Sequence, residues 1–137
     1  MRQKISAATP IIYGDTVYIL SAEKGFVNPT YDTKKLSRAP EKSSDKIFLI
    51  ALNRANGAEK WRAIVDSGNE LHRKQNSASP SPITDGKHIW VMTGHLRLSC
   101  FTTAGKQVWK RDLVEDYGHV GLNHGYASTP LLDGDRL

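Results

Sequence analysis

Residues 51–61 read A-L-N-R-A-N-G-A-E-K-W and residues 99–109 read S-C-F-T-T-A-G-K-Q-V-W. In both, a glycine (Gly57, Gly105) stands four places before a tryptophan (Trp61, Trp109), and an apolar run leads in. A second anchor recurs with it: T-P-I-I-Y-G-D at 9–15, S-P-I-T-D-G-K at 81–87 and T-P-L-L-D-G-D at 129–135. Each proline (Pro10, Pro82, Pro130) stands four residues before a turn glycine. From Pro82 to Trp109 is 27 residues and from Pro10 to Trp61 is 51, so the first unit is the second plus 24 inserted residues. Pro82 to Pro130 is 48 residues, a spacing typical of propellers and solenoids (roughly 20–50 residues). The chain is a repeat protein.

The apolar runs are short and strand-like. Residues 7–13, 16–20, 46–53 and 59–65 make four strands of a first unit; 78–84, 88–93, 97–102 and 107–113 make four of a second. Lys46–Asn53 (K-I-F-L-I-A-L-N) is apolar almost without a break, which predicts burial on both faces. The turns carry glycine, at Gly14, Gly57, Gly86 and Gly105, where a positive φ is needed. No segment holds a 3.6-residue period over eleven positions, so helix is nearly absent. Four short antiparallel strands per repeat indicate an all-β fold built of β-propeller blades. A β-sandwich gives no reason for Gly-x-x-x-Trp to recur in register. The division is 1–65 for blade one with an insertion at 22–45, 66–113 for a linker plus blade two, and 114–137 for a linker plus the first strand of blade three. Two blades and a start imply a partial propeller, a fragment whose remaining blades belong to the same longer protein.

Composition sets further bounds. Lys plus Arg is 19 against 14 for Asp plus Glu, a net charge of +5 without a basic run, so no nucleic-acid partner is expected. The single cysteine, Cys100, rules out an internal disulfide and a four-cysteine zinc site. No apolar run reaches the ~18 residues of a membrane helix, and no signal-peptide core follows Met1.

Ala51, Asn53, Asn56, Gly57 and Trp61 resemble the blade pattern A-x-D-x-x-T-G-x-x-x-W of the pyrroloquinoline-quinone (PQQ)-like, BamB-like propeller repeats. Ser99, Gly105 and Trp109 match it more loosely, with Phe101 replacing the Asp, and the Pro10, Pro82 and Pro130 motifs fit the same family. The resemblance implies that each tryptophan packs between neighbouring blades as a staple. It implies two functions. One is a non-enzymatic binding or assembly scaffold without cofactor. The alternative is part of a PQQ- and Ca²⁺-dependent quinoprotein dehydrogenase, whose vicinal Cys-Cys pair has no counterpart around Cys100. A periplasmic or secreted location is implied by the same resemblance.

In a four-stranded meander, the loops joining strands two and three open on the same side as the linkers between blades. That places the insertion 22–45, the Gly94-His95 tip and the linkers 66–76 and 114–125 on one rim, where rigid scaffolds carry recognition. His72, Arg73, Asn76, His95, His119, Asn123 and His124 form the candidate binding rim for a protein partner or small ligand. The same side chains also suit hydrogen bonding to loop backbones. No H-E-x-x-H, C-x-x-C, G-x-S-x-G or P-loop pattern is present, and no catalytic or metal-binding set is expected. Phe26, Tyr31 and Leu36 in the insertion form a possible apolar anchor for a partner.

Overall fold

The computed structural model of the protein describes residues 8–23, 26–27, 44–72, 75–118 and 126–137. The strands in chain order are β1 (Ile11–Tyr13), β2 (Thr16–Ala22), β3 (Phe26–Val27), β4 (Lys46–Asn53), β5 (Glu59–Ser67), β6 (Glu70–His72), β7 (Gln75–Asn76), β8 (Ile83–Thr84), β9 (His88–Met92), β10 (Arg97–Thr102) and β11 (Gln107–Asp112). Among the described residues a single short helix, α1 (Leu113–Tyr117), follows, with Asp112 accepting from the N–H groups of Val114 and Glu115 as its N-cap. Strands β1-β2-β4-β5 form one antiparallel four-stranded sheet and β8-β9-β10-β11 a second. These are the two predicted blades. The interior of β4 is buried from Ile47 to Ala51, and Ile47, Leu49 and Ala51 belong to the cluster shared with blade two.

The core lies between the blades. Tyr18, Leu20, Leu49, Ala51 and Val65 of blade one pack with Ala78, Ile89, Val91 and Phe101 of blade two in one buried cluster. Neither sheet could bury this surface by itself, which is the physical reason for the repeat. Three further contacts lock the joint. Trp61 Nε1 donates to Thr103 O at 3.1 Å, and its ring lies so close over Gly105 that a Cβ there would stand 2.8 Å from two ring carbons. Tyr13 covers Gly86, where a Cβ would stand 2.3 Å from the tyrosine Cζ and hydroxyl oxygen. Thr9 N–H donates to Ser81 Oγ at 2.9 Å, while Ser81 N–H donates to Thr129 Oγ1 at 3.0 Å. The hydroxyls before Pro82 and Pro130 therefore each receive the N–H of their counterpart one repeat earlier.

The register corrects the motif alignment. Ala51 pairs with Trp61, and the residue that pairs with Trp109 is Cys100. Cys100 thus stands where Ala51 stands, and Thr102, one place beyond Phe101, takes the position of Asn53. The cause is a turn shorter by one residue: Asn53 N–H donates to Ala58 O, whereas Thr102 N–H donates to Lys106 O. Asn53 Oδ1 accepts from Ala55 and Asn56, and Thr102 Oγ1 accepts from Lys106, so both side chains brace their turn. Phe101 instead belongs to the inter-blade core.

Several boundaries also move. The first strands are shorter than 7–13 and 78–84, since pairing begins only after the prolines, which lack the ladder donor. Strand β2 runs on to Ala22, buried and paired with Ile47, so the insertion starts after it. The 66–76 stretch is not a plain linker: Asp66 and Ser67 finish β5, and β6 and β7 join β3 in a three-stranded sheet, with β3 parallel to β6. Residues 129–132 form no strand; the third motif shows only an isolated bridge between Asp133 and Arg136. The β9–β10 loop is Gly94–Leu96 rather than Gly94-His95, with Leu96 at φ 60 in the αL position of a three-residue hairpin.

Candidate functional site

Of the candidate rim residues, Asn76 and His95 have described side chains. His72 ends β6 with its side chain outside the described set, and Arg73, His119, Asn123 and His124 lie outside the described residues, as do Tyr31 and Leu36. His95 meets Ser77, the residue after Asn76, and a residue that the motif reading placed in a linker: Asp66.

Asp66 sits at the end of β5 where the chain leaves blade one, with its side chain 4% exposed. Blade two closes over it. Thr93 Oγ1 donates to Oδ2 at 3.1 Å, His95 Nδ1 lies 3.1 Å from the same oxygen, and Arg97 Nη1 donates to Oδ1 at 3.0 Å. Lys110 adds an ion pair at 3.7 Å and donates to Val65 O at 2.7 Å. Arg97 also faces Asp112 at 3.5 Å. Burial would raise the carboxyl's pKa, but the His95 hydrogen bond and the Arg97 charge outweigh it and hold it at about 2. The group is a carboxylate at any physiological pH.

Behind His95 the network continues. Its Nε2 is 3.0 Å from Ser77 Oγ, and Ser77 N–H donates to Asn69 Oδ1 at 3.1 Å. Asn69, fully buried, donates through Nδ2 to Glu23 O at 2.8 Å. Gly94 allows the close packing here, since a Cβ on it would meet Ser77 Cα at 2.9 Å. Asn76 is 5% exposed and shapes the turn: its Oδ1 accepts from Ala78 N–H, and its N–H donates to Ser79 Oγ.

Ser77, His95 and Asp66 have the connectivity of a serine–histidine–aspartate relay. The surroundings do not complete one. Ser77 is 4% exposed. The nearby N–H groups that could face an oxyanion are consumed: Ser77's by Asn69, Ala78's by Asn76 Oδ1 and Ser79's by Asn76 O. What this arrangement does chemically is to hold the β9–β10 hairpin and the 76–79 turn against blade one. Sequence reasoning missed Asp66 because its partners lie 27 to 44 residues away, beyond any local pattern.

The quinone site of the alternative reading calls for a vicinal cysteine pair and free oxygen ligands for calcium. Cys100 lies between Ser99 and Phe101, 2% exposed, its thiol pushed up in pKa by burial and then by the charge of Asp85. The buried carboxylate of Asp66 is fully engaged. Neither Cys100 nor Asp66 offers a free ligand to such a group. Among the described residues, no three His, Cys, Asp or Glu side chains gather as metal ligands.

The sequence matched no curated protein. A family model described as the outer membrane protein assembly factor BamB matches residues 44–137, the span that contains β4 through β11 and the third motif. With two stacked four-stranded blades joined by a Trp-on-Gly contact, the chain belongs to this BamB-like family of PQQ-like propeller repeats.

Proposed function

We propose that the chain is a docking scaffold without catalytic function, part of a propeller whose loop-rich rim engages a protein partner. The observation that carries this reading is the Asp66 network. The charged and polar side chains gathered at the described rim are spent on cross-blade bonds, which make a rigid platform. Recognition then falls to the long connections between the strands. The family's description as an assembly factor points to a protein as the partner, in an assembly role at the outer membrane. His72, Arg73, His119, Asn123 and His124 are the rim residues we assign to contact, with His95 and Asn76 holding the hairpin and turn beneath them. Among the described residues no helix is long and apolar enough to cross a membrane.

Two measurements test the proposal. A photo-crosslinking side chain at position 73 or 119 should give discrete protein adducts in cells, and one at the turn-face positions 55 or 104 should not. Equal adducts from both faces, or none from the rim, would remove the support for a docking rim. Adding PQQ with Ca²⁺ to the protein should leave its melting temperature unchanged; a concentration-dependent rise would establish the dehydrogenase reading instead.

A further inference from the structure

The A-N-G-A stretch at 55–58 is the one place in the chain where asparagine precedes glycine. It forms the turn between β4 and β5. Asn56 is exposed, and its Oδ1 accepts from Ala58 N–H at 3.0 Å. That bond draws electron density from Cγ, the carbon a nucleophile would attack. The nucleophile next to it is the amide nitrogen of Gly57. Without a Cβ, Gly57 puts no bulk between this nitrogen and Asn56 Cγ. Its N–H donates to Asn53 O at 2.8 Å. A bond of this kind, in a surface turn, opens locally at far less cost than the blade as a whole.

The matching turn of blade two shows that a neighbouring blade leaves this position open. Trp61 lies over Gly105, yet Ala104, the residue before it, stays exposed. A ring over Gly57 would therefore still leave the Asn56 side chain in solvent. Other asparagines lack the combination. Asn69 is fully buried with both ends of its amide bonded, Asn76 is buried and precedes Ser77, and Asn53 precedes Arg54. Asp85 and Asp133 also precede glycine, but an ionised carboxylate is a poor electrophile.

We propose that Asn56 is a self-modification site, converted in water to aspartate and isoaspartate through a succinimide. The Gly57 N–H loses its proton to solvent base, and the nitrogen bonds to Asn56 Cγ. The Cγ–Nδ2 bond breaks, and Nδ2 leaves as ammonia after taking up a proton. Water then opens the ring at either carbonyl. Attack at Cγ gives aspartate with the main chain unchanged. Attack at the Asn56 main-chain carbonyl gives isoaspartate, in which the main chain runs through Cβ and Cγ. The sum is an amide and water giving a carboxylate and ammonium, with no oxidant or reductant. The isoaspartyl form adds a carbon to the main chain of the turn beside the Leu52–Glu59 pair.

The test is peptide mass spectrometry of the full chain aged in warm neutral buffer. The peptide holding Asn56 should gain about 1 Da and split into two chromatographic forms, one of them a substrate for a protein isoaspartyl methyltransferase. Conversion should be about threefold faster or more than at any other asparagine, because only Asn56 is followed by glycine. It should rise with pH and fall to background in Asn56→Gln, whose cyclic imide would need a larger ring. Urea below the unfolding transition should leave the rate unchanged, since only the turn has to open. A peptide that keeps its mass overturns the proposal. So does a mass gain without the isoaspartyl form, which means direct hydrolysis, or a rate that follows the fraction of chain unfolded.

Discussion

Asp66 is the residue on which the described rim depends, and its ionisation makes that dependence measurable. The folded pKa of about 2 lies below the usual 3.8, so the group favours folding once it is ionised. That contribution is fully present above pH 3.8 and is lost as pH falls through about 2. It amounts to about 2 kcal/mol. Acid titration of stability should therefore show a steeper loss in the wild type than in Asp66→Asn between these values. At neutral pH that variant should itself be about 2–3 kcal/mol less stable, since the amide loses the charge and keeps one acceptor oxygen for donors that shared two; chemical denaturation checks both. At the inter-blade joint, Gly105→Ala puts a Cβ 2.8 Å from the Trp61 ring, at φ +85. The cost should exceed the about 1–2 kcal/mol of a left-handed alanine. Trp61→Ala should cost about 3 kcal/mol. The double variant should lose less than the sum, because without the indole the added methyl meets open space; additive losses would mean the two residues do not touch. Trp61 and Gly105 could be found in the sequence because they recur at a fixed spacing. Asp66 could not, because a single carboxylate that meets its partners only in the folded state leaves no local pattern.

At the scale of elements, the strands were legible where apolar runs are long and bounded by glycine turns, as in β4 and β10. The ends were not. Alignment without gaps put Ser99 on Ala51, and a turn shorter by one residue shifts the true match to Cys100. Ser99 consequently faces blade one with Val91, fully buried, and its hydroxyl lacks a partner among the described residues. Ser99→Ala should be neutral or slightly stabilising, since it removes an unsatisfied polar group without opening a large void. A loss above about 1 kcal/mol in denaturant unfolding would point to a bonded hydroxyl. The limits of the insertion also follow from pairing. Glu23 N–H donates to Lys46 O and Gly68 N–H to Asp45 O, so these residues belong to the blade. Replacing 24–44 by a short glycine-containing turn should preserve the folded β-sheet spectrum, at the expense of β3. Excising 22–45 removes the buried Ala22 as well and should lower the melting temperature visibly further. Equal effects of the two deletions would place the boundary elsewhere. The β6–β7 hairpin escaped the sequence reading because E-L-H and Q-N carry no alternation long enough to register.

For the whole molecule, the repeat spacing carried the architecture: two blades, nearly no helix, and a core shared between sheets. A shared core has a kinetic consequence. Residues of both blades form one buried cluster, so opening blade one should expose blade two. Cys100 is the only cysteine in the chain and sits in blade two at 2% exposure, so a thiol reagent reports that exposure directly. In the folded protein, labelling requires opening. Trp61→Ala, a change confined to blade one, should speed Cys100 labelling on the order of a hundredfold if the blades open as one unit, the rate expected from about 3 kcal/mol of lost stability. Separately stable blades would leave the Cys100 rate unchanged while Trp61→Ala lowered only the first of two unfolding transitions. Nearest-neighbour coupling of this strength is the property a repeat scaffold needs. It allows the rim to be held rigid by contacts such as Asp66 with His95 that neither blade makes alone.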